Sequence, residues 1–187
     1  MALTQVRTAG LEDGAYGMVF QSTTSLSEAT ATMDITLSAS TFDYYRFVGV
    51  LANVTDAQYI EMKFFDSGGS IVEGASDYHW VGGRFIGSSA NVIDSADSHM
   101  RLSNTVGSST NENGISFEMT IGPTNTSSFP VQYLCHSFYH NNGSTPEGFT
   151  VQGGYVDEAK TFGGVRFFVS SGNLASHSKV TVYGMKT

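Results

Sequence analysis

The adjacent residues Tyr78, His79 and Trp80 form the segment with the clearest potential for ligand contact, and they include the only tryptophan in the chain. Indole and phenol faces can stack on the C–H surface of a sugar, while neighbouring polar groups supply hydrogen bonds. The segment therefore predicts a glycan contact at these three residues. The alternative is that Trp80 is a core aromatic residue, which is the commoner place for such a side chain.

A second candidate, Asp66-Ser67-Gly68-Gly69, resembles the sequence around the nucleophilic serine of chymotrypsin-like proteases. That chemistry needs a histidine general base held by an aspartate, and in those proteases both precede the serine. All five histidines of this chain follow Ser67. The paired glycines instead supply the positive φ angles of a tight hairpin, so we predict a turn here and no protease activity.

Histidines and aspartates offer two places to look for a metal site. His136 and His140 lie on the same side of a predicted strand, but the strand separates them by about 13 Å, so one ion cannot bind both within a chain. One histidine from each chain could meet around a symmetry axis, although polar positions beside an aromatic residue are the simpler interpretation. Asp94, Asp97 and His99 lie in a predicted loop without EF-hand spacing. We expect no metal and no cofactor.

Other catalytic signatures do not occur in the sequence. It contains no G-x-S-x-G elbow, P-loop, G-x-G-x-x-G or HExxH string. The single cysteine, Cys135, excludes an intrachain disulfide and a cysteine-based zinc site. A carboxylate pair for glycoside hydrolysis leaves no signature, because its spacing is three-dimensional. We therefore predict that the protein is not an enzyme and has no catalytic residues, with a polysaccharide-degrading module as the remaining alternative.

Charge and composition limit the classes of partner. The 187 residues include 9 Lys and Arg against 17 Asp and Glu, which gives a net charge of −8. Nucleic acids and anionic membranes are bound by clustered cations, and the cations here are few and scattered, so neither partner is expected. Only 14% of the residues are charged and 21 are glycine. The resulting surface of Ser, Thr, Asn and Gly suits sugar contact or packing in a large assembly.

Hydrophobic residues alternate with a period of two along most of the chain, and only residues 26–33 could form a helical turn or two. In residues 57–65, Ile60, Met62 and Phe64 share one face of a predicted strand. The pattern and its glycine- and asparagine-rich turns predict further strands at about 33–38, 44–54, 70–73, 79–87, 99–106, 114–121, 130–140, 149–157, 163–170 and 178–186. Many short strands predict an all-β fold, specifically an antiparallel β-sandwich of jelly-roll type over residues 33–187.

Residues 1–32 differ from the rest because they are small and polar, with isolated apolar residues. We interpret them as an extended N-terminal arm for docking, whose apolar side chains fit a partner groove: Leu3, Val6, Tyr16 and Phe20. The alternative, held equally, is that they form the first edge strands of the sandwich. Their start lacks the apolar region of a signal peptide, and the most apolar stretch, residues 44–54, is too short to span a membrane.

The last third of the chain carries the most specific pattern. Residues 163–186 read GGVRFFVSSGNLASHSKVTVYGMK, which is a strand, a Ser-Ser-Gly-Asn turn and a return strand. This ending resembles the closing hairpin of jelly-roll modules in tailed-bacteriophage virion proteins, including fibres and capsid decoration proteins. The opening MALTQV resembles the start of many phage fibre-type proteins. His177 stands where the pattern usually has glycine. The resemblance implies a fold and transfers no ligand residue.

The same resemblance implies a structural role in a phage particle that is assembled in the bacterial host cytoplasm. We expect a capsid decoration or cement protein, because the chain is short and has no shaft repeats. A fibre or spike tip that binds a host-surface glycan is the alternative. The expected partners are other virion proteins, capsid or fibre subunits, and further copies of this chain. A homotrimer follows from the resemblance, and the low charge of the surface favours association.

Overall fold

The computed structural model describes residues 17–37, 41–86, 89–108, 114–140, 148–157 and 161–186. Within these ranges it contains β-strands and no helix, so nothing in the described part is a helix that could cross a membrane. In chain order the strands are β1 (Met18–Ser25), β2 (Thr32–Thr36), β3 (Tyr44–Leu51), β4 (Ile60–Asp66), β5 (Tyr78–Ile86), β6 (Ser89–Asp97), β7 (Met100–Arg101), β8 (Ile115–Gly122), β9 (Gln132–Tyr139), β10 (Gly148–Val156), β11 (Phe162–Val169) and β12 (Lys179–Met185).

The strands form two antiparallel sheets. The larger sheet has the order β1-β12-β3-β8-β9-β10-β5-β6, and the smaller sheet has the order β2-β11-β4-β7. Every pair of neighbouring strands is antiparallel. The prediction of an all-β, antiparallel chain is therefore confirmed for the described residues.

Aromatic side chains between the two sheets form the centre of the core. Strand β9 alternates strictly between exposed and buried residues, as a strand with one face toward a core must. Phe167 of the smaller sheet packs against Phe47 and Phe117 of the larger sheet, with ring centroids 6.4 Å and 5.4 Å away. The sheets thus pack face to face in a β-sandwich-like fold.

Some local expectations differ from the structure. The predicted loop at Asp94 and Asp97 is wrong, because both belong to β6, which pairs with β5 over nine residues. The predicted strand at 99–106 shortens to Met100–Arg101, and the one at 70–73 is a single bridge between Phe65 and Ile71. Residues 26–33 form no helical turn. Edge segments with small, polar residues carry weak periodicity, so their pairing partners decide their conformation.

Part of the N-terminal segment belongs to the larger sheet. Strand β1 pairs with β12 along its whole length, with an irregularity between Phe20 and Ser22. Residues 18–25 are thus an edge strand, which was the alternative to a free docking arm. Leu3, Val6 and Tyr16 lie outside the described residues. Phe20 lies on β1, exposed, with its ring edge-on to Tyr183.

Candidate functional site

A groove lies between the inner face of the larger sheet and the edge of the smaller one. Strand β5 contributes Trp80 and Arg84, two alternate positions of one strand face, and the groove has a volume of about 300 Å³. The remaining lining comes from β6, from β10 and from the chain at and after β7: Val92, Ile93, Ser95, Arg101, Ser103, Thr150 and Gln152. The volume is at the lower end of the range for small-molecule sites.

Side-chain hydrogen bonds connect the two walls of this groove. Gln152 of β10 donates through Nε2 to the backbone carbonyl of Arg101, and Arg84 Nη1 donates to Asn104 Oδ1 over 3.1 Å. Gly82 lies between Trp80 and Arg84 on the same face of β5. A Cβ at Gly82 would be 2.3 Å from a backbone oxygen of β10 and 2.6 Å from Gln152 Cβ, so β5 and β10 approach closely only because this residue is glycine.

Four polar side-chain atoms around the groove are buried and lack a hydrogen-bond partner among the described residues. They are Trp80 Nε1, Arg84 Nε, Arg101 Nε and Gln152 Oε1. Gln152 as a whole is only 1% exposed. An unpaired buried polar atom is unfavourable by about 1–3 kcal/mol, and most such groups in proteins are paired with protein or water. These atoms leave hydrogen-bonding capacity in the groove for water or a polar ligand.

The groove is also cationic, in a chain whose net charge is −8. Arg101 lies 4.3 Å over the ring of Tyr59, and its Nε is 3.4 Å from Oε1 of the buried Glu61. His99 Nε2 is 3.1 Å from the same carboxylate oxygen, although neither contact has the geometry of a hydrogen bond. Arg84 has no carboxylate partner among the described residues.

Of the three residues that were predicted to contact a glycan together, Tyr78 lies in the core, whereas His79 and Trp80 line a second cavity of about 380 Å³. Tyr78 is 0% exposed, and its hydroxyl donates to Val72 O and accepts from Phe64 N, both over 2.7 Å. Tyr78 is thus a core residue, and its proposed glycan contact is wrong. His79 points to the opposite face, because neighbouring strand residues alternate, and it stacks on Tyr155 at 5.0 Å. Only Trp80, which is partly buried against the core, lines the groove beside the arginines.

The outer face of the larger sheet is the second notable surface. Phe138, Phe149 and Phe85 are direct neighbours across β9, β10 and β5. They are 51%, 39% and 45% exposed. More large apolar residues of β3, β5, β6, β9 and β10 are exposed on this sheet: Val48, Val50, Val81, Val92, Leu134 and Tyr155. The outer face of the larger sheet therefore presents a row of aromatic side chains to solvent.

The outer face of the smaller sheet has the opposite character. Arg166 binds Asp34 through two hydrogen bonds of 2.7 Å and 2.6 Å, and Lys63 pairs with Glu73 at 2.9 Å. Donation of these hydrogen bonds to Asp34 raises the pKa of Arg166 above its ordinary value. Charged pairs therefore cover one outer face of the sandwich, whereas exposed apolar side chains cover much of the other.

The remaining sequence candidates include a turn and an exposed histidine. Asp66 Oδ1 accepts hydrogen bonds from the backbone N–H groups of Gly68 and Ser70, each over 2.9 Å, and Gly69 has a φ of 83°. The predicted hairpin turn is thus confirmed. His136 is exposed on the outer face of β9. Among the described residues, no group of three or more His, Cys, Asp and Glu side chains could hold a metal ion.

Cys135 lies on the inner face of β9, 1% exposed. Burial and, to a smaller extent, the charge of Glu118 together raise the pKa of its thiol to about 12. A buried thiol that stays protonated is a poor nucleophile and metal ligand, so Cys135 acts as a small core residue.

Comparison with protein-family models, curated proteins and solved structures yields no match. The groove must therefore be interpreted from its own residues. Sequence analysis identified Trp80 but missed Arg84, Arg101 and Gln152. The alternation of β5 could have placed Arg84 on the same face as Trp80, whereas the contribution of β7 and β10 depends on sheet order.

Proposed function

We propose that this chain is a non-enzymatic structural component of a tailed-bacteriophage particle, specifically a capsid decoration protein, which assembles through the outer face of its larger sheet. The exposed apolar surface of that face carries the assembly part of the proposal. The phage part rests on the resemblance of residues 163–186 to the closing hairpin of virion jelly rolls.

The strand order supports a jelly roll as the finer fold class. Without the hairpins β5–β6 and β9–β10, the sheets have the orders β1-β12-β3-β8 and β2-β11-β4-β7. Successive strands of these eight mostly alternate between the sheets, and the last two strands insert beside the first four. This interleaving is what a jelly roll of eight strands requires. In this interpretation the two hairpins are additions that widen one sheet only.

The apolar surface of this face contributes to association when it is buried. A fully exposed aromatic side chain offers about 200 Å², so the exposures of Phe138, Phe149 and Phe85 amount to about 270 Å². That value is close to the lower end of the largest apolar patch of a typical monomer, at roughly 300–600 Å², before the six other exposed apolar residues are added. At about 25 cal/mol per Å², burying the three rings contributes up to about 7 kcal/mol per copy.

Further copies of the same chain are the proposed occupants of this face. Arg46 and Glu118, which lie on it, already pair with each other at 2.7 Å. Copies of this face can therefore pack head to tail around a threefold axis without an unpaired charge from these two residues at the contact. A homotrimer on the particle surface, in contact with other virion proteins, is the proposed assembly.

Light scattering on the purified chain tests the assembly. The wild type should have the mass of three chains at tens of micromolar, and Phe138→Lys should yield monomers, because it places a charge in the apolar row. Phe129→Lys is the matched control, since Phe129 is 62% exposed in a loop outside that face. A monomeric wild type, or a Phe138→Lys variant that remains trimeric, would contradict the proposed interface.

The particle role has its own test. The chain should co-purify with phage capsids at a fixed ratio, and its absence from purified particles would contradict the proposal. Release of reducing sugar from a host polysaccharide, abolished by changing one Asp or Glu, would contradict the non-enzymatic part.

A further inference from the structure

We propose that the groove beside Trp80 binds a sugar residue that carries a carboxylate, such as the uronic acid of an acidic polysaccharide. The groove lies on the inner face of the larger sheet, opposite the apolar outer face. The inference therefore does not depend on the assembly proposed above. It assigns a ligand class to Trp80 and adds Arg84 and Gln152 as binding residues.

Charge is the first reason for an acidic ligand. Two of the nine Lys and Arg residues line this one groove, and its described lining contains no carboxylate. Arg101 is partly neutralised by Glu61, at 3.4 Å. Arg84 is held in place by a hydrogen bond to Asn104 but has a neutral partner there. A guanidinium recognises a carboxylate by paired, charge-assisted hydrogen bonds, so Arg84 is the residue that selects the acid.

Unpaired polar atoms are the reason for a hydroxyl-bearing ligand. Gln152 Oε1 can accept a hydrogen bond and Trp80 Nε1 can donate one, and both are unpaired among the described residues. Small rotations of these two side chains at the groove wall would present an acceptor and a donor to neighbouring ring hydroxyls. Ser95 and Thr150, which also line the groove, add hydroxyl groups. A simple carboxylate would leave these groups unused.

The aromatic side chain and the volume complete the argument. Trp80 lines the groove and is only partly buried, and indole rings are apolar surfaces on which sugar C–H groups pack. About 300 Å³ suits one sugar ring rather than a long, enclosed chain. The groove is partly open to solvent, so one acidic residue of a longer polymer can enter it from the side.

Tryptophan fluorescence provides a direct assay, because Trp80 is the only tryptophan in the chain. Methyl glucuronide, methyl glucoside and acetate are titrated separately into the full-length protein. The glucuronide should change the fluorescence at concentrations about 10- to 100-fold below the glucoside, which is the range for one charge-assisted hydrogen-bond pair. Acetate should bind more weakly than the glucuronide, because it lacks the ring.

Two matched variants locate the effect. Arg84→Gln should remove the preference for the acid and leave the weak affinity for the glucoside, whereas Arg166→Gln, on the outer face of the smaller sheet, should keep the preference. If Arg84→Gln lowers the melting temperature, the salt dependence of the wild type replaces it, and added salt should weaken glucuronide binding alone. Equal affinities for the two sugars, acetate that binds as tightly as the glucuronide, or no binding at millimolar concentrations would each overturn the proposal.

Discussion

Replacing Tyr78 with phenylalanine removes a single buried oxygen and tests how the core is held together. The Tyr78 hydroxyl donates to Val72 O and accepts from Phe64 N, each over 2.7 Å. It thereby joins β4, β5 and the chain between them. Phenylalanine has the same ring but leaves both backbone groups unpaired in a site that is 0% exposed.

The expected loss follows from these two groups. Each unpaired buried backbone group is unfavourable by about 1–3 kcal/mol, and partial relaxation places the sum near 3 kcal/mol. For a domain of this size, about 1 kcal/mol shifts the melting temperature by 2–4 °C, so Tyr78→Phe should melt about 6–12 °C lower. Tyr155→Phe is the matched control, because Tyr155 is exposed, and it should change stability by less than about 0.5 kcal/mol.

Chemical denaturation with urea, combined with a thermal scan, measures both variants. An unchanged midpoint for Tyr78→Phe would refute the reasoning, since it would mean that the two backbone groups find other partners. Loss of sugar binding by Tyr78→Phe without loss of stability would also refute the reasoning, because it would show that the Tyr78 hydroxyl contacts the ligand.

Further expectations concern the sheet, the thiol and the N-terminus. Gly82→Ala should destabilise the fold by about 1–3 kcal/mol, because its Cβ would lie 2.3 Å from Val151 O. Gly153→Ala is the control and should be tolerated, since the nearest atom to its Cβ is 3.4 Å away. Urea denaturation midpoints compare the two variants, and equal losses of stability would contradict the close approach of β5 and β10. Cys135 should resist iodoacetamide at pH 8 until the protein unfolds, and prompt labelling of the native chain would contradict its burial. Its raised pKa favours the folded state below the ordinary value of 9.0, and that contribution should be lost as the pH rises from about 9 toward 12; denaturation at several pH values, with Cys135→Ala as the reference, measures it. Deleting residues 1–16 preserves β1, so the truncated chain should stay folded but fail to join the particle. Normal incorporation of the truncated chain would mean that the sandwich, and not the N-terminal segment, contacts the particle.

Alternation predicted most of the strands, because a residue on every second position must face the core. Strand β9 is a clear case, with Tyr133 and Cys135 buried while Leu134 and His136 are exposed. Strand β6 escaped prediction because it is an edge strand of small and polar residues, and it is defined by its pairing with β5. Periodicity indicates which face of a strand is buried, but it does not indicate which other strand pairs with it.

The groove shows the same limit at the level of the site. The residue type of Trp80 alone suggested a ligand contact. The other groove residues lie on strands whose proximity depends on the order of strands in the sheets, which the sequence pattern does not predict. Gln152 reaches the backbone of Arg101 across 51 residues of sequence. His79 was grouped with Trp80 because the two are adjacent in sequence, yet alternation along β5 places them on opposite faces. Tyr78 shares the face of Trp80 but is 0% exposed in the core.

The position of the last two strands has a consequence for biosynthesis. Strand β12 lies between β1 and β3, and β11 lies between β2 and β4. Each sheet therefore stays split until the segment from 162 to 185 has emerged from the ribosome. Pairings between the two ends of a chain form slowly, because a long loop must close first. The nascent protein consequently exposes unpaired strand edges while the rest is being made, and it is in this interval that a chaperone would be needed.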